Sequence, residues 1–276
     1  MTGRGEQGND SASMTFWDHL DVLRGVLLRI MAVAVAFAVV AFIFKDEVFG
    51  IVLAPKLDNF VTYRLIDRLL ALCGLPGREG FNVELINTGL AQQFMIHLKT
   101  AMCVGVLCAS PYILAQLYLF VAPGLYTKER KYATSLIVWG YVMFLVGVLL
   151  SYFVIFPVTF QFLGTYQVSG DVTNLISLES YMSVLLTLSL CLGLLCEMPV
   201  VAWILGRAGV IDAGMLCKYR RHAIVVILIV AAVITPTADV FTLLLFAVPI
   251  WVLYEASILL VRRAGGKSIT GEVRDE

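Results

Sequence analysis

Residues 133–156 read ATSLIVWGYVMFLVGVLLSYFVIF, a stretch without one charged side chain. Coiled as an α-helix at about 1.5 Å per residue it is roughly 36 Å long, more than the roughly 30 Å of a bilayer's hydrocarbon core. In lipid the backbone has no water to bond to, so such a run must satisfy its own N–H and C=O groups as a helix. Working outward, the runs 26–44, 100–120, 181–205 and 240–261 meet the same requirement. The run 223–234 is shorter and is closed by Thr235-Pro236; it reaches only about 18 Å. It is expected to form a short hairpin with 240–261. The tip, Thr235-Pro236-Thr237-Ala238-Asp239, would sit shallow in the outer leaflet, under a locally thinned bilayer. The fold class predicted is an all-α polytopic membrane protein of six transmembrane helices, the last two a short hairpin.

Composition agrees. Hydrophobic residues make up 60% of the chain and charged residues 14%, with a mean hydropathy of +0.89. So few charges cannot cover that much apolar surface in water. A formal net charge of zero argues against nucleic acid as a partner. With the N-terminus inside, the inner segments hold Arg24, Arg29, Lys128, Arg130, Lys218, Arg220, Arg221, Arg262 and Arg263. The outer segments near 161–180 and 235–239 hold no Lys or Arg, so both termini are expected in the cytoplasm.

The domain organisation follows. Residues 1–13 read as a disordered, Gly/Ser-rich cytoplasmic tail without a signal-peptide core. Residues 14–262 form the membrane domain, with a first extracytoplasmic loop at about 46–95, and 263–276 form a cytoplasmic tail. Inside that loop, 63–72 places Leu65, Ile66, Leu69, Leu70 and Leu72 at helical spacing; Leu75-Pro76-Gly77 is expected to end this helix, and a helical pattern resumes at 87–97. A cap of short helices is expected there. No internal repeat is visible. The six cysteines read as small packing residues, since only Cys73 falls in an outer loop.

No catalytic set is recognisable. His19, His97 and His222 lie at span ends, and the motifs of metalloproteases, serine hydrolases and P-loop nucleotide binders are missing from the sequence. Neither an enzyme activity nor a cofactor or metal is expected. The sharper signals are acidic. Glu197 lies deep in the fourth run, two residues before Pro199. An ionised group there costs several kcal/mol unless paired, wetted or protonated, and Pro199 leaves the Leu195 carbonyl without its helical donor. Glu197 is either a polar point facing a cavity or partner helix, or an acid hydrogen-bonded within the bundle. Glu255 either snorkels or pairs with a neighbouring helix. In the turn 122–130, Pro123-Gly124 breaks the second span and Thr127 resembles an N-cap; Glu129 is either a dipole-stabilising first-turn residue or an exposed carboxylate awaiting a cation. The stretch 16–24 reads as a short amphipathic helix entering the first span, with Trp17 as interfacial anchor; Asp18 and Asp21 share one face, which is either functional or simply solvated.

At these residues the sequence resembles the TatC family, the multi-spanning subunit of the twin-arginine protein translocase. The resemblance is carried by His19-Leu20-x-x-Leu23-Arg24, Ala54-Pro55, Ser110-Pro111, Phe120-x-Ala122-Pro123-x-Leu125-Tyr126-x-x-Glu129-Arg130, Phe156-Pro157, Glu197-x-Pro199, Arg220-Arg221 and Thr235-Pro236-x-x-Asp239-x-Phe241. It implies a subunit of a bacterial-type inner membrane that binds twin-arginine signal peptides and scaffolds single-span TatA-type and TatB-type partners. It implies further copies of itself in the complex and transport of folded cargo at the expense of a proton gradient. It implies signal-peptide contacts at Glu129, Phe120 and Arg24, a partner-docking polar point at Glu197, and a structural shell of Pro55, Pro111, Pro123, Pro236 and Asp239. A guanidinium meets a carboxylate through two parallel hydrogen bonds, which suits an acidic site for paired arginines. Two positions depart from the family pattern. Val22 stands where a glutamate is usual, and Asp18 or Asp21 is the candidate replacement; Leu243 stands near a usual glutamine. The competing reading is an ion-coupled small-solute transporter built around Glu197, which should show broken helices in two related halves.

Overall fold

The computed structural model describes residues 16–74, 83–121, 133–167, 169, 174–237 and 239–265. Eleven α-helices occur among them: α1 Phe16–Ile43, α2 Lys45–Val52, α3 Val61–Leu72, α4 Gln92–Val121, α5 Ala133–Leu150, α6 Phe156–Thr165, α7 Leu178–Leu195, α8 Met198–Arg207, α9 Ala213–Lys218, α10 Arg220–Ile234 and α11 Val240–Gly265. A π-helical turn, Ser151–Ile155, joins α5 to α6 in one rod, and α7 and α8 are two parts of another. Five stretches among the described residues are long and apolar enough to cross a membrane: Leu20–Ile43, Gln92–Phe120, Leu136–Thr165, Leu178–Arg207 and Val240–Arg263. The sixth expected run is α10, whose 15 residues reach only about 22 Å.

Glycine sets how closely the rods cross. A Cβ on Gly105 of α4 would lie 2.6 Å from the Ala38 backbone nitrogen of α1. Two turns towards the other end, His97 stacks on Phe42 at 3.9 Å, and its Nε2–H donates to the Phe42 carbonyl at 3.1 Å. A carbonyl can only accept, so the proton sits on Nε2. The α5–α7 crossing is comparably close. A Cβ on Gly147 would lie 2.6 Å from the Leu192 carbonyl oxygen, and one on Gly193 would lie 2.8 Å from Val148. Close backbone approach over small residues is how helices associate in lipid, where no hydrophobic drive separates side chain from solvent. The core lies around Phe156, Tyr181, Leu188, Leu192, Phe246 and Ile250.

Prolines break the ladders, and hydroxyls repair them. Pro111 cannot donate to Leu107, and the Ser110 hydroxyl donates to that carbonyl instead at 2.7 Å. Pro157 cannot donate to Phe153, and Thr62 Oγ1, 91 residues away, donates there. Beside it the buried Tyr63 hydroxyl sits between the Pro55 and Pro157 carbonyls, at 3.1 and 3.2 Å. Tyr152 donates to Ile51 at 2.6 Å and Tyr181 to Val52 at 3.0 Å. Three tyrosines thus hold the turn between α2 and α3 on the ends of the long rods. This forms a cap at the bundle end where α1 stops and α4 and α7 begin.

The amphipathic stretch 16–24 runs into the first span as the continuous start of α1. Several expectations need correction. The helical pattern expected from residue 87 begins only at Gln92. Before it Leu85–Ile86 pairs in parallel with Ile176–Ser177, a two-stranded tie that neither segment's composition announces. The third run continues as helix past Phe156 to Thr165. The amphipathic helix of the cap ends at Cys73, with Gly74 at φ +70 carrying the chain out of it; Leu75-Pro76-Gly77, expected to end it, lies outside the described residues.

Candidate functional site

Glu197 occupies the break between α7 and α8. The Pro199 ring denies the Leu195 carbonyl its donor, and the ladder tightens: the Glu197 N–H bonds the Leu194 carbonyl at 3.1 Å, and α8 restarts with Glu197 as its N-cap residue. The side chain turns towards α5 at Gly140, where a Cβ would lie 3.0 Å from Oε2 and 3.5 Å from Oε1. Oε1 is buried and has no hydrogen-bond partner among the described residues. The carboxylate therefore occupies a notch that the missing side chain of Gly140 leaves open, about two-thirds of the way along the apolar rod Leu178–Arg207, with its buried Oε1 unused. Buried acceptors are rarely left so, and in lipid the unused one favours a donor from outside the chain.

At the end opposite the cap, α1 begins and α4 finishes. The two helices run antiparallel in a register fixed by Gly105 against Ala38. The end of α4 and the start of α1 therefore lie at the same end of the bundle. Phe120 is half-buried, and Asp21 and Arg24 are exposed, so three of the expected recognition residues lie at one end of one antiparallel helix pair. Asp18 belongs to the first turn of α1, and its side chain lies outside the described residues. Glu129 and Pro123 lie outside them altogether.

The remaining expected residues are dispersed. Pro55 is buried in the cap and Pro111 lies mid-α4. Pro236 follows an extended Thr235, the conformation a proline imposes on its predecessor. Asp239 caps α11, its Oδ1 accepting from the Thr242 N–H at 2.6 Å. Glu255 resolves towards pairing: the Arg220 guanidinium donates to it at 2.8 Å, and next to it Tyr254 donates to the Leu216 carbonyl at 2.8 Å. Among the described residues no three His, Cys, Asp or Glu side chains converge as a metal site.

Residues 18–249 match the family model described as Sec-independent protein translocase protein (TatC). The chain belongs to the TatC family. The relative from Carboxydothermus hydrogenoformans, a Sec-independent protein translocase protein TatC, is 32% identical over 94% of this chain and 97% of its own. Those from Desulforapulum autotrophicum and Aquifex aeolicus bear the same name. They are 34% and 32% identical, over 93% and 92% of this chain and 87% and 97% of theirs. A crystal structure titled Twin Arginine Translocase Receptor- TatC superposes with a TM-score of 0.74 at 32% identity, covering 89% of this chain and 99% of that one. The chain is thus a multi-pass membrane protein and a component of the twin-arginine translocase, and the solute-transporter reading falls away.

Sequence reasoning singled out Glu197 in this TatC-family chain but missed what holds it. Gly140 and Gly147 are seven residues apart, two helical turns, and Gly193 lies one turn before Glu197. That glycine stripe was legible as a close helix crossing. The partners of Tyr63, Tyr152 and Tyr181 were not, since backbone carbonyls leave no mark in a sequence.

Proposed function

We propose that this chain is the signal-recognising core subunit of its translocase. In this reading it binds the arginine pair of a signal peptide and scaffolds single-span TatA-type and TatB-type subunits, and it carries no catalysis. Six helices span the inner membrane with both termini in the cytoplasm: a tail at 1–13, the membrane domain at 14–262 and a tail at 263–276. The short α10 and α11 form the final hairpin. The observation that carries the reading is the antiparallel register of α1 and α4. It leaves Asp21, Arg24 and Phe120 at the same end of the bundle, which supports a shared role with Glu129, nine residues beyond Phe120 in sequence. Arg24 and acidic neighbours on α1, with Glu129 after α4, form a site suited to a guanidinium pair, since each planar fork is met by a carboxylate. Glu197, with its unused acceptor in the Gly140 notch, is the docking point for a polar group on a partner helix. The test is photocrosslinking of the purified protein to a twin-arginine signal peptide against a twin-lysine version. Crosslinks from positions 21 and 120 should appear with the first and fall roughly tenfold or more with the second. Equal crosslinking of both would remove the arginine-specific reading.

A further inference from the structure

At the cap, a cavity of about 410 Å3 opens where α4 and α7 begin, with Ala91, Gln92, Met95, Ile96, Lys99 and Glu179 on its walls. Gln92 organises it. Its Oε1 accepts from the Thr88 and Gly89 N–H groups, both at 3.0 Å, and its Nε2 donates to Glu179 Oε2 at 2.8 Å. The other carboxylate oxygen lies 3.7 Å from Lys99 Nζ, and the two side chains keep 64% and 54% of their surface exposed. An exposed pair at that separation holds itself together weakly and remains available to a third party. The strand pairing of 85–86 with 176–177 fixes the two helix starts relative to each other.

Charge gives the cavity its polarity. A carboxylate and an ammonium stand side by side on its wall, 3.7 Å apart, and Lys99 is the last charged residue before the apolar run 100–120. Met95 and Ile96 present apolar wall beside them. A phospholipid whose headgroup ends in a primary amine carries the complementary set: an ammonium, a phosphate close to it, and acyl chains. We infer that this cavity binds the headgroup of phosphatidylethanolamine, with its phosphate on Lys99, its ammonium on Glu179 and the upper acyl chain along Met95 and Ile96. A choline headgroup has no N–H to donate to Glu179. A glycerol headgroup offers Glu179 no cation and brings an uncompensated negative charge against it. In the topology proposed above the lipid belongs to the outer leaflet, though the chemistry is the same in either.

The test uses the full chain in nanodiscs containing phosphatidylethanolamine, phosphatidylcholine and phosphatidylglycerol in equal amounts. Ala91 is replaced by the photocrosslinking residue p-benzoylphenylalanine, and lipid adducts are identified by mass spectrometry. The ethanolamine lipid should dominate the adducts by roughly tenfold, and the K99Q/E179Q double variant should lose that excess at an unchanged melting temperature, as expected when charge-assisted contacts are removed. The single change E179Q keeps the phosphate contact and removes the ammonium contact, so the glycerol lipid should rise to match the ethanolamine lipid. That gain cannot arise from misfolding. Adducts that follow the bulk composition in the parent protein, or an ethanolamine preference that survives E179Q, would overturn the assignment.

Discussion

Oε2 of Glu197 lies 3.0 Å from where a Cβ on Gly140 would stand, so the carboxylate occupies space that every other residue at 140 would contest. An alanine there needs the flexible carboxylate to yield by a few tenths of an ångström. The larger Gly140→Val pushes it out of the notch. We expect Gly140→Val and Glu197→Ala to share a phenotype: a fold and signal-peptide binding close to those of the parent, with export of a folded twin-arginine reporter and partner crosslinking lowered by roughly tenfold or more. Gly147→Ala should differ, because its Cβ meets the Leu192 carbonyl at 2.6 Å and the Gly193 Cα at 2.9 Å, both backbone. That variant should lose melting temperature and yield. Normal export in Gly140→Val beside failed export in Glu197→Ala would show that the acid matters but its position does not.

Ser110 and Pro111 form a compensating pair. With the proline present, the Ser110 hydroxyl is the donor to the Leu107 carbonyl, so Ser110→Ala should cost about 0.6–1.7 kcal/mol, the range of hydrogen bonds between groups in lipid. Pro111→Ala returns the backbone N–H and makes the hydroxyl redundant. In the double variant the Ser110 cost should therefore largely vanish, a non-additivity that an unfolding titration of the four proteins measures directly. Simple additivity would mean the hydroxyl is not replacing the missing donor.

The cap should loosen at Tyr63. Its hydroxyl lies between two carbonyls and its ring is fully buried, so Tyr63→Phe keeps the packing and strips the donor. Thr62→Val does the same to the Phe153 carbonyl. Each should cost about 1–2 kcal/mol, since a buried acceptor is left bare. Hydrogen exchange should rise across α2 and α3 while α4 and α7 stay protected. Unchanged exchange in the double variant would show that the tyrosine–threonine pair does not hold the cap.

Much of this architecture could be read from the sequence because lipid imposes simple demands. A helix must be long enough and must carry few charges; the runs at 26–44, 100–120, 133–156, 181–205 and 240–261 obey both, and each coincides with a long helix or a rod of two helical parts. The short tenth helix was legible for the same reason. The prolines at 111, 157 and 199 announced breaks, but not their repair. Ser110 is a neighbour and could have been guessed, whereas Thr62 comes from 91 residues away. The strand tie between 85–86 and 176–177 left no signal because two residues carry no period. Glu197 stood out as an acid in an apolar run, but the notch that receives it belongs to a different rod.

Topology separates the two ends of the bundle. Single cysteines introduced at Gln167, beyond α6, and at Lys218, at the end of α9, lie at the cap and at the opposite end. In a background without native cysteines, an impermeant maleimide added to intact cells should label the first alone and reach the second only after the membrane is opened. A residue-267 cysteine labelled from outside would overturn the six-span count, because an odd number of crossings is the simplest way to put it there.

Recognition is the sharpest test, because this chain departs from its family at the site concerned. Val22 is exposed on α1 between Asp21 and Leu23, at the position where the family resemblance implies a glutamate. Asp18 precedes it by one helical turn and shares nearly its face, whereas Asp21 points about 100° away. The antiparallel pairing of α1 and α4 puts this turn at the same end of the bundle as Phe120. Glu129, nine residues beyond Phe120, is proposed as the main acceptor for the arginine pair. Removing one partner of a charge-assisted pair costs about 1.5–3 kcal/mol, or roughly ten- to a hundredfold in affinity. Glu129→Ala should lose at least that in signal-peptide titrations, and Glu129→Gln nearly as much, since shape survives and charge does not. Asp18→Asn should weaken binding more than Asp21→Asn, on the argument from the helix face, and the two together should exceed either. If the double change leaves twin-arginine binding untouched, no aspartate stands in for the missing acid. Val22→Glu completes the test. Tighter binding means the position has kept its geometry and lost only its side chain, whereas unchanged binding means the start of α1 meets the signal peptide through another face.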